Sequence, residues 1–319
     1  MSTDQRELRS GMWYGFAAYG AWGLVPLYFK SVDCPAHEIV AHRVLWSFVV
    51  LSVIITFLGR WREFIAVFKN RHVLMMLFAS GYLVAGNWYV YVYSATSGQI
   101  TQASLGYFLL PLVNSFVGVT FFKERLRVPQ MIALAFAAGG VLYMALSLGV
   151  FPWIGITLAV TFSIYGVLRK LVPVDGVIGL TVETLLLAPT AIVLLVVWEQ
   201  KYGLAFGHHG IATDLLIACS GLVTTIPLIC FAQAIRRVPL VTIGFLQYIS
   251  PTLQLCVAIL VFKEVFSPDH QVSFGLIWVG LLIFVWDAVR TVWMKQRQAR
   301  TIIDSEPMMT EREMKKATV

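Results

Sequence analysis

Ionisable side chains are scarce in the long apolar stretches of this chain, and the few present are the first candidates for chemistry. His42 and Arg43 lie a few residues into one apolar stretch, and Glu183 lies in another. A charge held within hydrocarbon costs a few kcal/mol or more, about +2.5–3.5 on insertion scales, so such residues mark solute or proton pathways when they are kept. Arg43 and Glu183 are separated by 140 residues, a spacing that returns below. They are candidates for binding a charged solute or for proton coupling. The competing reading is that both reach headgroups or water by snorkelling. Glu38 and His37 read as interfacial, and Asp287 with Arg290, three apart, as a local ion pair on one helix face.

Neutral polar groups concentrate in two regions. The first holds Asn87, Trp88, Tyr91, Gln102, Tyr107 and Asn114 around Pro111. The second holds Thr225, Gln247, Tyr248 and Gln254 around Pro227 and Pro251. A proline inside a helix removes one backbone hydrogen bond and leaves a carbonyl free. Asn114 and Gln254 each follow a proline by three residues, which puts the amide near the face of the kink. Free carbonyls, amides and phenols suit a polar solute in a cavity. The same groups also serve as hydrogen-bonding glue between helices, and the sequence leaves both uses open.

The elements that must position these residues are membrane helices. The chain has 319 residues, 58% of them apolar and only 13% charged, where a soluble domain carries about 25% charged residues. Its apolar residues form runs near the roughly 20 residues needed to cross a bilayer as helix, without the ten-residue alternation of a barrel strand. Ten runs are expected, at about 12–31, 37–58, 73–94, 100–122, 129–148, 153–171, 177–198, 213–235, 241–262 and 273–293. Residues 1–11 and 294–319 are polar ends, the latter read as a solvated, partly disordered tail. With the N-terminus in the cytoplasm, seventeen Lys and Arg fall on that side, leaving aside the distal tail, against Lys30, Lys201 and Lys263 opposite. The positive-inside rule then places both termini in the cytoplasm. The polar start leads into a full-length run with no small-residue cleavage site, so no cleavable signal peptide is expected.

Sliding the sequence by 140 residues aligns its halves without a gap. Trp13 and Gly15 meet Trp153 and Gly155, Pro111 meets Pro251, Phe122-Lys123-Glu124 meets Phe262-Lys263-Glu264, and Gly140 meets Gly280. The expected repeats are 12–148 and 153–293. Each would contain five spans, and an odd number inverts the second copy. Inverted repeats are a recurring architecture of secondary transporters, because exchanging the conformations of the halves turns one site from one side to the other. The expected fold is therefore an all-α membrane protein of ten transmembrane helices in two inverted five-helix repeats. Spans one, three, four, six, eight and nine are expected to surround a central polar cavity.

Other chemistries find no support. There is no HExxH, GxSxG or phosphate-binding glycine loop, so neither an enzyme nor ATP-driven transport is indicated. Cys34, Cys219, Cys230 and Cys256 form no CxxC pair, and no metal or cofactor is expected. The formal charge of +7 is explained by basic loops rather than by a nucleic-acid face. The partners expected are the bilayer and a small-molecule substrate; the oligomeric state is left open. A receptor or assembly subunit that moves nothing, and a flippase for a lipid-linked solute, are the alternatives.

Several stretches resemble one family closely. They include AYGAWGLVPLYFK from Ala18, EIVAHRVLWSF from Glu38, GNWYVYVYS from Gly86, SLGYFLLPLVN from Ser104, FKERL from Phe122, SIYGVLRK from Ser163, ETLLLAP from Glu183, GLVTTIPLICF from Gly221 and GFLQYISPT from Gly244. Together they resemble the EamA-type drug/metabolite transporters, and within those the RarD branch of bacterial permeases, up to about Thr291. The resemblance implies a permease of the bacterial inner membrane. It implies no particular substrate and no ligand residues.

Overall fold

The computed structural model describes residues 3–96, 100–149, 151, 153–261 and 268–305. Among these, all regular structure is helical: α1 (Thr3–Ser31), α2 (Ala36–Leu58), α3 (Trp61–Val67), α4 (Arg71–Thr96), α5 (Ile100–Phe122), α6 (Val128–Leu148), α7 (Trp153–Leu171), α8 (Gly176–Tyr202), α9 (Ile211–Arg237), α10 (Leu240–Gln247), α11 (Ile249–Leu260) and α12 (Pro268–Ser305). Seven of the described helices (α2, α4, α6, α7, α8, α9 and α12) are long and apolar enough to cross a membrane. A shorter apolar stretch, Gly106–Phe122, lies in α5. The outward surface is apolar where water would forbid it: Phe57, Phe121, Leu146 and Leu282 stand exposed on four different helices. Large apolar patches of this kind mark a surface that meets lipid or a partner.

Three sequence expectations change. The expected ninth span is two helices, α10 and α11, with a break at Tyr248. Pro251 permits it, since its nitrogen cannot donate to the Gln247 carbonyl four residues back. Its counterpart Pro111 lies within the unbroken α5, and Pro227 within the unbroken α9. The stretch after the second expected span holds the short helix α3, which buries Phe64 and Val67. Finally, α12 runs on to Ser305, so the first part of the expected tail is helical. The second Phe-Lys-Glu triplet, at 262–264, lies outside the described residues.

Helices of the first half pack chiefly on helices of the second. The principal neighbours are α1 with α9, α4 with α7, α2 with α9, α4 with α8, α5 with α7, and α1 with α11, together with α6·α12, α2·α8 and α5·α10. Glycines set the closest approaches. A Cβ at Gly140 would lie 2.7 Å from the Ser273 carbonyl oxygen, and one at Gly280 would lie 2.6 Å from that of Ala133. Only the missing side chain lets α6 and α12 approach so closely. A large apolar core fills the end of the molecule where α9 finishes and α10 begins, with Tyr165, Phe231, Ile235, Val238 and Leu240 at its heart.

Candidate functional site

Above that core, toward the end of the molecule where α1 finishes, the helices part around a cavity with about 80 Å³ of open room. It is lined by α1 (Tyr19, Trp22, Val25, Pro26, Phe29), α4 (Asn87, Trp88, Tyr91), α5 (Gly106, Tyr107, Leu110), α7 (Leu158, Phe162), and α10 and α11 (Gln247, Ser250, Pro251, Gln254). These are the expected first, third, fourth, sixth and ninth segments. The eighth, α9, contributes instead to an adjoining recess, with α2, through Ser220, Val223, Thr224 and Arg43. Trp22, Val25, Phe29 and Trp88 border both spaces.

The lining is more aromatic than the expected polar cavity. Trp22 packs edge-on to Phe162 at 5.8 Å between ring centroids, and Tyr91 packs against Tyr107 at 6.0 Å. Aromatic side chains offer wide contact area with a polar tip in Tyr and Trp. Sequence reasoning passed over Trp22, Phe29 and Phe162, because an aromatic ring in an apolar helix carries no signal of its own.

Of the expected site residues, Asn87, Trp88, Tyr91, Tyr107, Gln247, Gln254 and Pro251 come together at this cavity. Several of their polar groups are already engaged. The Asn87 amide donates to the Leu158 carbonyl at 2.8 Å and to Thr161 at 2.9 Å, and so ties α4 to α7. The Gln254 amide donates to the Trp22 carbonyl at 3.2 Å. Asn114 lies deeper, buried outside the lining, and donates to Gln247 Oε1 at 3.0 Å, orienting that amide from behind. Tyr248 is buried too, its hydroxyl 3.4 Å from the Phe108 carbonyl. Thr225, Pro227 and Pro111 are buried away from the lining. The side chain of Gln102 lies outside the described residues.

The charged candidates do not face one another. Glu183 is buried at the filled end, where it accepts from Ser80 of α4 and pairs with Arg169 Nη1 of α7 at 3.4 Å. Arg169 itself is 2% exposed and donates to the Gly176 carbonyl at 3.0 Å. Its place among a run of basic residues at a span end had hidden this pairing. Removing one member of such a buried pair typically costs about 3–5 kcal/mol.

Arg43 is 5% exposed. Its Nε donates to Thr224 Oγ1 at 2.8 Å, and its guanidinium carbon sits 3.0 Å from the centroid of the Trp88 ring. Nη1 has no hydrogen-bond partner, and no described carboxylate pairs with it. A desolvated cation–π contact is worth about 2 kcal/mol or more, less than the several kcal/mol effective penalty of burying an ion. Arg43 is thus a cation whose compensation is incomplete.

Two further residues have partners the sequence did not reveal. Glu38 is buried within the fold: it accepts from the backbone nitrogens of Ala205 and Phe206, each at 2.9 Å, and lies 3.7 Å from His42 Nε2. Asp287 pairs with Arg127 at 2.7 Å rather than with Arg290, which lies over the Trp286 ring at 5.2 Å. Among the described residues no cluster suits a metal ion.

Comparison with known proteins agrees with this architecture. Residues 9–146 match the EamA-like transporter family. The chain is 39% identical to an uncharacterized transporter of Vibrio cholerae, over 91% of this chain and 96% of that one. It is also 39% identical to the protein RarD of Salmonella typhi, over 90% and 98%. A solved crystal structure at 19% identity superposes with a TM-score of 0.64 over 86% of this chain and 96% of that one, a likeness of fold alone. The relatives' names speak of transport rather than of an enzyme. Multiple apolar helices, an apolar outer face and these bacterial relatives together make this chain a multi-pass membrane transporter of the drug/metabolite superfamily, a member of its RarD branch within the EamA-like family.

Proposed function

We propose that this transporter is a gradient-driven secondary carrier of ten spans, built as two inverted repeats at 12–148 and 153–293, that works by alternating access in the bacterial inner membrane with both termini cytoplasmic. The observation that carries the reading is a cavity lined by both halves that lies toward one end of the molecule, with packed core filling the other. Support for the inversion comes from exchange of equivalent contacts. Under a shift of 140, the pair α1·α9 exchanges with α7·α4, and α2·α9 with α8·α4. Gly140 against Ser273 exchanges with Gly280 against Ala133. The family match over residues 9–146 spans nearly the first repeat.

In this reading the filled end is a closed gate, and the Arg169–Glu183–Ser80 contacts latch it, since they join α7 and α8 to α4. Opening that end must break the latch, and protonating Glu183 would weaken it. Glu183, with His42 nearer the opposite end, is the candidate for coupling. The polar cavity residues would carry the solute.

The test needs no known substrate. With Cys34, Cys219, Cys230 and Cys256 replaced by serine, Val25→Cys places one thiol on the cavity wall. A membrane-impermeant maleimide should label it rapidly from the outside of oriented vesicles and slowly from the inside. Adding Glu183→Gln should raise labelling from the inside and lower it from the outside. Labelling from one side only, in every variant and at every pH, would reject alternating access and favour a receptor that moves nothing.

A further inference from the structure

We infer that the solute is an organic anion with an aromatic or apolar body, its anionic group seated on Arg43 and its body in the adjoining aromatic cavity. The inference rests on the cavity being the transport site, and it names the class of solute which that site takes.

Arg43 is more than nine-tenths buried, borders the recess behind Trp88, and carries an Nη1 with nothing to bond. Its Nε is fixed by Thr224 and its carbon face by Trp88. The guanidinium is therefore oriented, with donor capacity to spare. A planar guanidinium offers paired donors matched to a carboxylate, and a charge-assisted bond of this kind is roughly twice as strong as a neutral one.

The other buried arginine differs in its charge balance: Arg169 also leaves one nitrogen, Nε, without a partner, but Glu183 beside it supplies the counter-charge that Arg43 lacks. The phenol that borders the recess, Tyr28, already donates to the Leu216 carbonyl at 2.9 Å. Among the described residues lining the cavity and the recess, no Asp or Glu appears. An amine or zwitterion would find no counter-charge for its ammonium, whereas an anion completes the one charge present. The ring-walled cavity that shares Trp22, Val25, Phe29 and Trp88 with the recess accounts for the aromatic body.

The probes are benzoate and phenylacetate against their uncharged and cationic counterparts, benzamide and benzylamine. Purified full-length protein is titrated in detergent while the quench of tryptophan fluorescence and the melting temperature are followed. The carboxylates should bind saturably, at least about tenfold more tightly than the amide, with benzylamine inert. Arg43→Gln should weaken the carboxylates at least about tenfold and leave benzamide unchanged. Arg43→Lys should keep the preference for anions with weaker affinity, and it decides the matter should Arg43→Gln melt without a transition. Equal binding of all four probes, carboxylate affinity indifferent to both Arg43 variants, or no carboxylate binding at all would overturn the inference. So would stabilisation by phosphatidylglycerol over phosphatidylcholine in nanodiscs with none from the free acids, which would make the anion a lipid headgroup. Binding is read without a gradient, so its failure is separate from failure of the labelling experiment.

Discussion

Asp175 closes the start of α8 with its own carboxylate, which accepts from the Val177 amide at 3.1 Å. Gln233 and Arg60 also donate to it, at 3.2 and 3.0 Å. Partial burial pushes its carboxyl upward, but these hydrogen bonds and the Arg60 charge outweigh burial and hold it below the ordinary carboxylate range. A depressed folded-state value means that the contribution is present above the unfolded-state value and is lost as pH falls through the folded one. Asp175→Asn keeps a side-chain acceptor for the cap but removes the charge that faces Arg60, so it should lower the melting temperature at neutral pH by the equivalent of up to about 1 kcal/mol, the ordinary worth of a partly exposed ion pair. The gap to the parent protein should close as pH falls below the carboxylate range. A gap that stays constant with pH would show that the charge has no part in it.

The same scale shows what was legible. Arg43, His42 and Glu183 stood out because charge in hydrocarbon is costly. Their partners did not, because Arg169, Thr224 and Ser80 are ordinary residues until folding sets them 3.4 Å or less from a buried charge. Asn114 illustrates the ambiguity of intramembrane amides: adjacency to Pro111 suggested a ligand, yet its donor is taken by Gln247.

At the scale of elements, the long helices could be read from apolar runs, while the break of α10 from α11 could not. Pro111 and Pro251 occupy equivalent positions, yet only the second divides its helix. A proline permits such a break without compelling it, and a list of apolar residues does not say which of the two helices will divide. Close packing also distinguishes neighbouring glycines in α6. A Cβ at Gly140 meets a backbone oxygen and Ile277, while one at Gly139 meets nothing within 4 Å. Gly140→Ala should lower the melting temperature in detergent by the equivalent of about 1–3 kcal/mol, the usual cost of overpacking. Gly139→Ala should leave it level or raise it slightly, since alanine favours helix by up to about 1 kcal/mol. Equal effects would mean that α6 and α12 part freely.

For the whole molecule, the important feature is that few contacts are made within a half. Helices α1 to α6 find their main neighbours among α7 to α12. Neither half can then bury its apolar faces alone. Residues 1–150 and 151–319 expressed as separate chains should each be degraded, and expressed together should co-purify through a tag on either. Stable accumulation of one half alone would show that it folds by itself. The 140-residue offset in sequence predicted a duplication; the contacts add that the two halves of the chain are interlaced rather than set side by side.

The division at Tyr248 has a mechanical consequence. On one side of it, α10 is clamped to α5: Glu124 accepts from the Leu240 and Val241 backbone nitrogens at 2.7 and 2.9 Å, and Asn114 holds Gln247. On the other side, α11 lies along α1, to which Gln254 is tied. A continuous rod would transmit force stiffly from one set of helices to the other. One interrupted at a single turn is more compliant there, so displacement of α1 relative to α5 would be taken up about residues 248–250. That turn sits on the wall of the cavity itself, where a few degrees of flexion would reshape the space around a bound molecule.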